Sequence, residues 1–335
     1  MKHVKITATL GPASLEYDVL KEMIQNGANV IRINLSYGTH DQFETMFNIV
    51  KKVEAETGIK VQTMFDTRGP EIRVGKLLND RVEYKLNDLV YFVEADASDN
   101  ASIIPVKTLE TVKNIKDNHV ILGVNNTNFE VVEVKSDMVV AKVVTAGPLK
   151  SGIKIIIPDH VITAPFLNEK DKGDIILGIK SGVDYVALSF VNCKEDVFAV
   201  RELLKEHNSN AKIMSKIESS LAVKNLADII EASDEIMIAR GDLAIEVGYE
   251  NTPHIQKMIA AACLKANKPF TVATEMLTSM ENCAVPTRAE ANDVAVAVYS
   301  GASSTMLSNE TAIGKYPVEC IKVMRKVIEA TKANM

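Results

Sequence analysis

Short apolar, β-branched runs alternate along this chain with longer stretches in which apolar side chains recur at about i, i+3, i+4 and i+7. Eight runs read as strands: VKITATL (4–10), VIRINLS (30–36), VQTMFDT (61–67), YVALSFV (185–191), KIMSKI (212–217), EIMIARG (235–241), FTVAT (270–274) and STMLSN (304–309). Helical stretches follow them, among them DVLKEMIQNG, DQFETMFNIVKKVEAETG, EDVFAVRELLKEHN and PVECIKVMRKVIEATKAN, each with a one-sided apolar face. Such alternation buries a parallel sheet beneath helices, and eight βα units predict an α/β fold, a (β/α)8 TIM barrel. One interval breaks the pattern. Between Arg73 and about Asp159, segments such as RVEYKL, LVYFVEA, FEVVEV and MVVAKVV alternate with period two between Asn, Asp, Ser and Gly, which predicts antiparallel β structure. The helical pattern resumes at NEKDKGDIILGIKSG. We therefore expect a barrel from 1–72 and 160–335, and a small inserted antiparallel β domain, 73–159, in the third βα loop, on the face where barrels carry their sites. An insert there is placed to act as a lid.

Charge narrows the range of ligands. Lys and Arg number 38 against 44 Asp and Glu, a net charge of −6, which speaks against binding nucleic acid through a basic surface. An anionic ligand then needs a local cluster of cations. The four cysteines (Cys193, Cys263, Cys283, Cys320) lie far apart without metal-ligand spacing, so we expect reduced thiols in a cytoplasmic protein. No stretch of about 20 apolar residues occurs, and the apolar run before Gly11-Pro12 is too short for a signal-peptide core, so no membrane association is expected.

In a barrel the residues at the C-terminal ends of the strands decide the chemistry. Here they are polar: Arg32, Asn34 and Ser36 on the second strand, Asp66 and Thr67 on the third with Arg73 shortly after, Lys216 and Glu218 on the fifth, Arg240 and Asp242 on the sixth, Thr274 on the seventh and Ser308 on the eighth. Glu218 and Asp242 follow adjacent strands and suit a hard divalent cation such as Mg²⁺, which takes one or two carboxylates and completes its shell with water and substrate oxygens. Read singly, each motif fits a strand-end ion network equally well; their joint appearance favours the metal. Arg32, Arg73, Lys216 and Arg240 would focus positive potential for a small, multiply charged anion. Arg32 and Lys216 interrupt apolar runs, where an unpaired charge is costly. Asn34, Ser36, Asp66 and Thr67 form an oxygen-rich set suited to a weakly hydrated cation or a phosphate contact. Neither GxGxxG nor GxxxxGK[ST] occurs, and the histidines show no paired ligand spacing.

Together the motifs TATLGPAS, VIRINLSYGTH, FDTRGPEIR, LNEKDKGDI, SKIES, IARGDLAIE, ATEML, PTRAEANDVAVAV and MLSNETAIGKYP closely resemble, in order, those of the pyruvate kinase barrel. That family transfers the phosphoryl group of phosphoenolpyruvate to ADP and protonates the resulting enolate, giving pyruvate and ATP. The resemblance implies that Lys216 neutralises charge on the phosphoryl group and that Glu218 and Asp242 hold Mg²⁺ or Mn²⁺. It implies that Arg32, Arg73 and Arg240 serve the anionic groups, and that the backbone around Ala239, Arg240, Gly241 and Asp242, with the Thr274 hydroxyl, takes the carboxylate. Asn34, Ser36, Asp66 and Thr67 match the family's K⁺ ligands, Glu71 matches its potassium-requiring branch, and Ser308 a residue implicated in proton delivery.

The chain also departs from the family. Tyr37 replaces a nucleotide-side His, Gln42 stands near an expected aromatic, Val124, Asn125 and Asn126 align with the family's Asp-Asp-Gly lid turn, and Asn192 replaces a basic residue. Glu275, Ala244 and Asn309 replace Gln, Gly and Gly. These losses fall mostly on the nucleotide side, which leaves open a paralogue with a different phosphoryl acceptor, or a 2-oxo acid lyase or decarboxylase activity. The sequence ends after the eighth helix, without the family's C-terminal domain, so a homodimer is expected in place of the usual tetramer.

Overall fold

The computed structural model describes residues 3–107, 109–113, 120–123, 127–157 and 165–335. Eight parallel strands close a barrel: β1 (Lys5–Thr9), β2 (Val30–Asn34), β3 (Gln62–Asp66), β4 (Tyr185–Leu188), β5 (Lys212–Ile217), β6 (Glu235–Ala239), β7 (Phe270–Ala273) and β8 (Ser304–Leu307). Each strand pairs with its neighbours in sequence, and β8 returns to β1 with Lys5 opposite Ser304. All eight strands expected from the apolar runs are present.

The pleat sorts every strand into two sets. Ile31, Ile33, Phe65, Val186, Ile213, Ile236, Ile238 and Val272 point outward and pack beneath the helices in the main core. The alternate positions point into the lumen, where Val30, Met64, Tyr185, Met214, Met237 and Met306 form a separate apolar plug. Methionine suits this tapered interior because its unbranched chain adapts to irregular gaps. One layer higher, the same inward parity places Arg32, Asp66, Ser189 and Lys216 at the mouth. The site is therefore the polar continuation of a methionine-packed lumen.

The Thr305 hydroxyl on β8 is the one buried side-chain polar atom among the described residues that has no hydrogen-bond partner. Thr305→Val fills the same volume and removes that orphan. It is expected to stabilise the fold by about 1 kcal/mol, read as a rise in the thermal unfolding midpoint.

After β3 the chain leaves the barrel. A seven-stranded sheet runs in the order Ile72–Arg73, Lys154–Ile156, Val120–Gly123, Asn128–Val134, Met138–Thr145, Leu89–Glu94 and Ile103–Val106, and a two-stranded ribbon pairs Arg81–Tyr84 with Gly147–Lys150. Its core, with Val90, Phe92, Ile104, Phe129, Val139 and Leu149, is separate from that of the barrel. The pairing is antiparallel as expected, with one correction: Leu89–Glu94 runs parallel to Ile103–Val106. Val124, Asn125 and Asn126, and the expected boundary at 159/160, lie outside the described residues.

The helix Glu169–Ser181 restarts the barrel, and Asn168 caps it by accepting from the Asp171 N–H at 2.9 Å. The buried faces of this helix carry acids. Asp171 accepts from the backbone N–H groups of Arg68 (3.1 Å) and Gly69 (2.9 Å), fixing the turn after β3. Gly69 has φ of +73°, and a Cβ there would lie 2.8 Å from the Ser189 carbonyl oxygen, so the turn requires glycine.

Candidate active site

At the mouth of the lumen a single ion network joins three strands. Lys216 on β5 donates to Asp66 Oδ1 (3.1 Å) and Ser189 Oγ (2.6 Å), and pairs with Glu218 Oε1 at 3.0 Å. Arg32 on β2 donates through Nε to Asp66 Oδ2 at 2.6 Å and through Nη1 to Thr9 Oγ1 at 3.0 Å. All four charged side chains are buried. Burial alone would raise the pKa of Asp66, but Arg32 and Lys216 outweigh it and hold the carboxyl below its ordinary range. Burial alone would lower that of Lys216, yet Asp66 and Glu218 overcome it, so the ammonium stays charged. Glu218 is pushed up by burial and further by the charge of Asp242, against the opposing pull of Lys216 and Lys154. One more positive charge at this point would relieve two carboxylates at once.

The rim comes from the turn after β3 and from the inserted sheet. Glu71 Oε1 accepts from the Nε of both Arg68 and Arg73, each at 2.6 Å. Arg73 also donates to the Gly152 carbonyl at 2.8 Å and lies over the exposed Tyr37 ring, 5.3 Å from its centroid. Lys154, on the strand that pairs with Ile72–Arg73, reaches Asp242 at the start of the helix Arg240–Val247. These groups enclose a cleft of about 430 Å³ that is lined by Arg32, Asn34, Ser36, Arg73, Lys216 and Asp242, among others. Its size suits a small ligand, and its lining cations suit an anionic one.

The expected residues are not all gathered. Arg240 lies just beyond β6, at the first position of the helix Arg240–Val247. Its guanidinium donates to Asp293 Oδ2 (2.5 Å) and to the Thr274 carbonyl (3.2 Å from Nε), away from the cleft. The expectation that this side chain adds to the field on the ligand is thus corrected to a structural tie. Thr274 has φ of +69°, a strained conformation for a β-branched residue, and Arg240 holds it together with the Gly241 N–H, which donates to Thr274 Oγ1 at 2.7 Å. Ser308 sits past the end of β8, its backbone N–H given to Glu310 Oε2 at 2.7 Å. Thr67 accepts from the Ser189 N–H (3.3 Å), and Asn34 Oδ1 from the Ser36 N–H (3.1 Å). Asn34 and Ser36 line the cleft, while both Asp66 oxygens accept from Arg32 and Lys216 beneath it.

The family described as "Pyruvate kinase, barrel domain" matches residues 1–321. The chain belongs to the pyruvate kinase family. Its curated relatives include "Pyruvate kinase" from Sporosarcina psychrophila and from Geobacillus stearothermophilus, each 36% identical over 99% of this chain, and "Pyruvate kinase" from Staphylococcus aureus at 34%. The chain spans 57–58% of the length of these relatives.

Where the chain departs from the pyruvate kinase pattern, the residues present take defined structural roles. Gln42 accepts from the Thr39 N–H at 2.9 Å, closing the N-terminal capping box of the helix His40–Thr57, so it does not line the cleft. Asn192 accepts from the Ser219 hydroxyl through its side chain and from Asn225 Nδ2 at 2.8 Å through its backbone carbonyl, which ties two βα loops together. Tyr37 remains on the cleft wall. Sequence reasoning missed Ser189, which shares the inward parity of Tyr185 and Ala187 and was within reach of the alternation rule. It missed Lys154, Arg68 and Asp171 because each depends on how the insert or a loop is placed. Among the described residues no helix is long and apolar enough to cross a membrane. All four cysteines are free, and burial pushes the Cys263 and Cys320 thiols up to about 12, so neither is a ready nucleophile.

Proposed function

We propose that this chain catalyses the pyruvate kinase reaction, transferring the phosphoryl group of phosphoenolpyruvate to ADP to give pyruvate and ATP. The observation that carries this reading is the buried Lys216 ammonium, fixed by three acceptors beside Glu218 at the mouth of the lumen. Phosphoryl transfer asks little covalent chemistry of a protein and much positioning and charge neutralisation, which a pre-ordered ammonium supplies without reorganisation. Lys216 would neutralise the equatorial oxygens of the group in flight, while Arg73 holds the phosphate. The Gly241 N–H and the Thr274 hydroxyl, already within hydrogen-bond distance of each other, would turn to the substrate carboxylate. Ser308 would stand on the route of the proton to the enolate carbon.

Two ions fit the donor sets. Among the described residues no group of three or more His, Cys, Asp or Glu side chains gathers, but Glu218 and Asp242 give the one or two carboxylates that Mg²⁺ or Mn²⁺ requires. When bound, that ion supplies positive charge at the phosphoryl and carboxylate oxygens. Asn34, Ser36, Asp66 and Thr67 suit K⁺, and Glu71, clamped by two arginines, places no cation where K⁺ would act. Replacing K⁺ by Na⁺ is therefore expected to lower kcat/KM on the order of tenfold or more, about 1.4 kcal/mol of barrier. Equal rates in the two buffers would reject the potassium site.

We take the barrel, 1–72 and 160–335, as the catalytic domain and 73–159 as its lid, acting in the cytoplasm, where free thiols persist. We infer a homodimer, testable by light scattering. The reaction itself is tested by a phosphorus and proton NMR time course with phosphoenolpyruvate, Mg²⁺, K⁺ and ADP beside a sample without ADP. ATP and pyruvate should appear only in the first tube; their absence there would refute the acceptor assignment.

A further inference from the structure

One cation at the mouth comes neither from the barrel nor from any motif in the sequence. Lys154 opens the inserted strand Lys154–Ile156, opposite Arg73, and its side chain is only 16% exposed. The ammonium pairs with Asp242 Oδ1 and lies 4.8 Å from the ring centroid of Phe190. Phe190 in turn gives its N–H to Glu218 Oε2 at 2.8 Å. A single charge carried by the insert thus stands between the two acids that face each other across β5 and β6.

Two carboxylates sharing a buried mouth repel, and some positive charge must offset them. Lysine suits a temporary occupant: its ammonium is a compact point charge on a flexible four-carbon stem, whereas arginine would hold a carboxylate in a rigid fork. The Phe190 face adds a cation–π contact that keeps the ammonium over the pair.

We propose that Lys154 is a tethered counter-ion that occupies Asp242 until a divalent cation displaces it, so that metal affinity is set by competition with a residue of the insert. Metal binding is thereby coupled to the position of the strand Lys154–Ile156. The inference rests on reading Glu218 and Asp242 as the divalent-cation pair.

The test uses the full chain and Mn²⁺ alone, with free Mn²⁺ counted by electron paramagnetic resonance. Lys154→Met is expected to bind Mn²⁺ about tenfold more tightly than the wild type, a size typical of coupling between close charges. In the wild type, Mn²⁺ should increase acetylation of Lys154 by a water-soluble acetylating reagent, read by mass spectrometry. The exposed Lys205 serves as the reference that does not change. Asp242→Asn is expected to lose most Mn²⁺ affinity. Unchanged or weaker binding in Lys154→Met, with Asp242→Asn still impaired, overturns the counter-ion and leaves the metal pair standing. Tighter binding without any rise in Lys154 acetylation also overturns it, because Lys154 would then be a nearby repulsive charge that never leaves. Undiminished binding in Asp242→Asn overturns the metal pair and the counter-ion with it.

Discussion

Lys216→Met is expected to lower kcat by a factor on the order of 1,000 or more, while Mn²⁺ binding survives. The ammonium sits on the inward parity of β5, one layer above Met214, and its three acceptors are Asp66 Oδ1, Ser189 Oγ and Glu218 Oε1. Methionine matches the length of the stem and continues the lumen packing, so the backbone of β5 has no reason to move. What is lost is a charge already in place where the phosphoryl oxygens would gather negative charge. Water cannot replace it in a mouth where Lys216, Asp66 and Glu218 are all buried.

Stability provides a second readout. Removing Lys216 leaves Asp66 with Arg32 and the Ser189 hydroxyl, and Glu218 beside Asp242, which for a broken buried pair costs about 3–5 kcal/mol. Mn²⁺ should recover part of that loss, since an ion bound only by the folded state stabilises it by mass action. Lys216→Arg keeps the charge, but a planar fork cannot meet three acceptors arranged for a tetrahedral ammonium, so it should restore stability more than turnover. Turnover of Lys216→Met within tenfold of the wild type would sink the phosphoryl-transfer role.

The alternation of inward and outward residues explains how much of the barrel and its mouth is legible in the sequence. Val30, Arg32 and Asn34 on β2, Met64 and Asp66 on β3, and Met214 and Lys216 on β5 share one parity, so the apolar plug and the ion network are written in the same period of two. The rule finds Ser189 as well, but it does not reach Arg240, which opens the helix after β6. Strand ends alone mark height in the barrel and say nothing about side, which is why Arg240 looked like a ligand for an anion. Gln42 was legible by another route: Thr39-His-Asp-Gln42 is a capping box at a helix start. Lys154 and Asp171 were not legible. Asp171 acts on a loop about 100 residues earlier in the chain, and Lys154 reaches the mouth only through the register that sets it opposite Arg73. Such contacts follow from tertiary placement, on which local period has no purchase.

Glu218→Gln separates stability from function in the opposite sense to Lys216→Met. The amide keeps the volume, and its oxygen still accepts the Phe190 N–H, now 2.8 Å from Oε2. Lys216 retains Asp66 and Ser189, so no buried cation is stranded. Burial, reinforced by Asp242, raises the pKa of Glu218 above that of an ordinary carboxyl, so its charge is held at a cost that the amide does not incur. The metal-free variant should therefore unfold no earlier than the wild type, and its stability should change less between pH 7 and pH 5. The direction follows from linkage. A carboxyl whose folded pKa is raised opposes stability in full above that pKa, and the penalty shrinks as the pH falls from there toward the ordinary carboxyl pKa, where it is gone. Mn²⁺ affinity, in contrast, should fall on the order of 100-fold or more, because one of the two anionic ligands is gone and the remaining one, Asp242, still pairs with Lys154. Activity should fall with it and return only in part at high Mn²⁺. An unfolding midpoint well below that of the wild type, or Mn²⁺ affinity within a factor of three of it, would mean that Glu218 is chiefly a structural partner of Lys216 rather than a ligand.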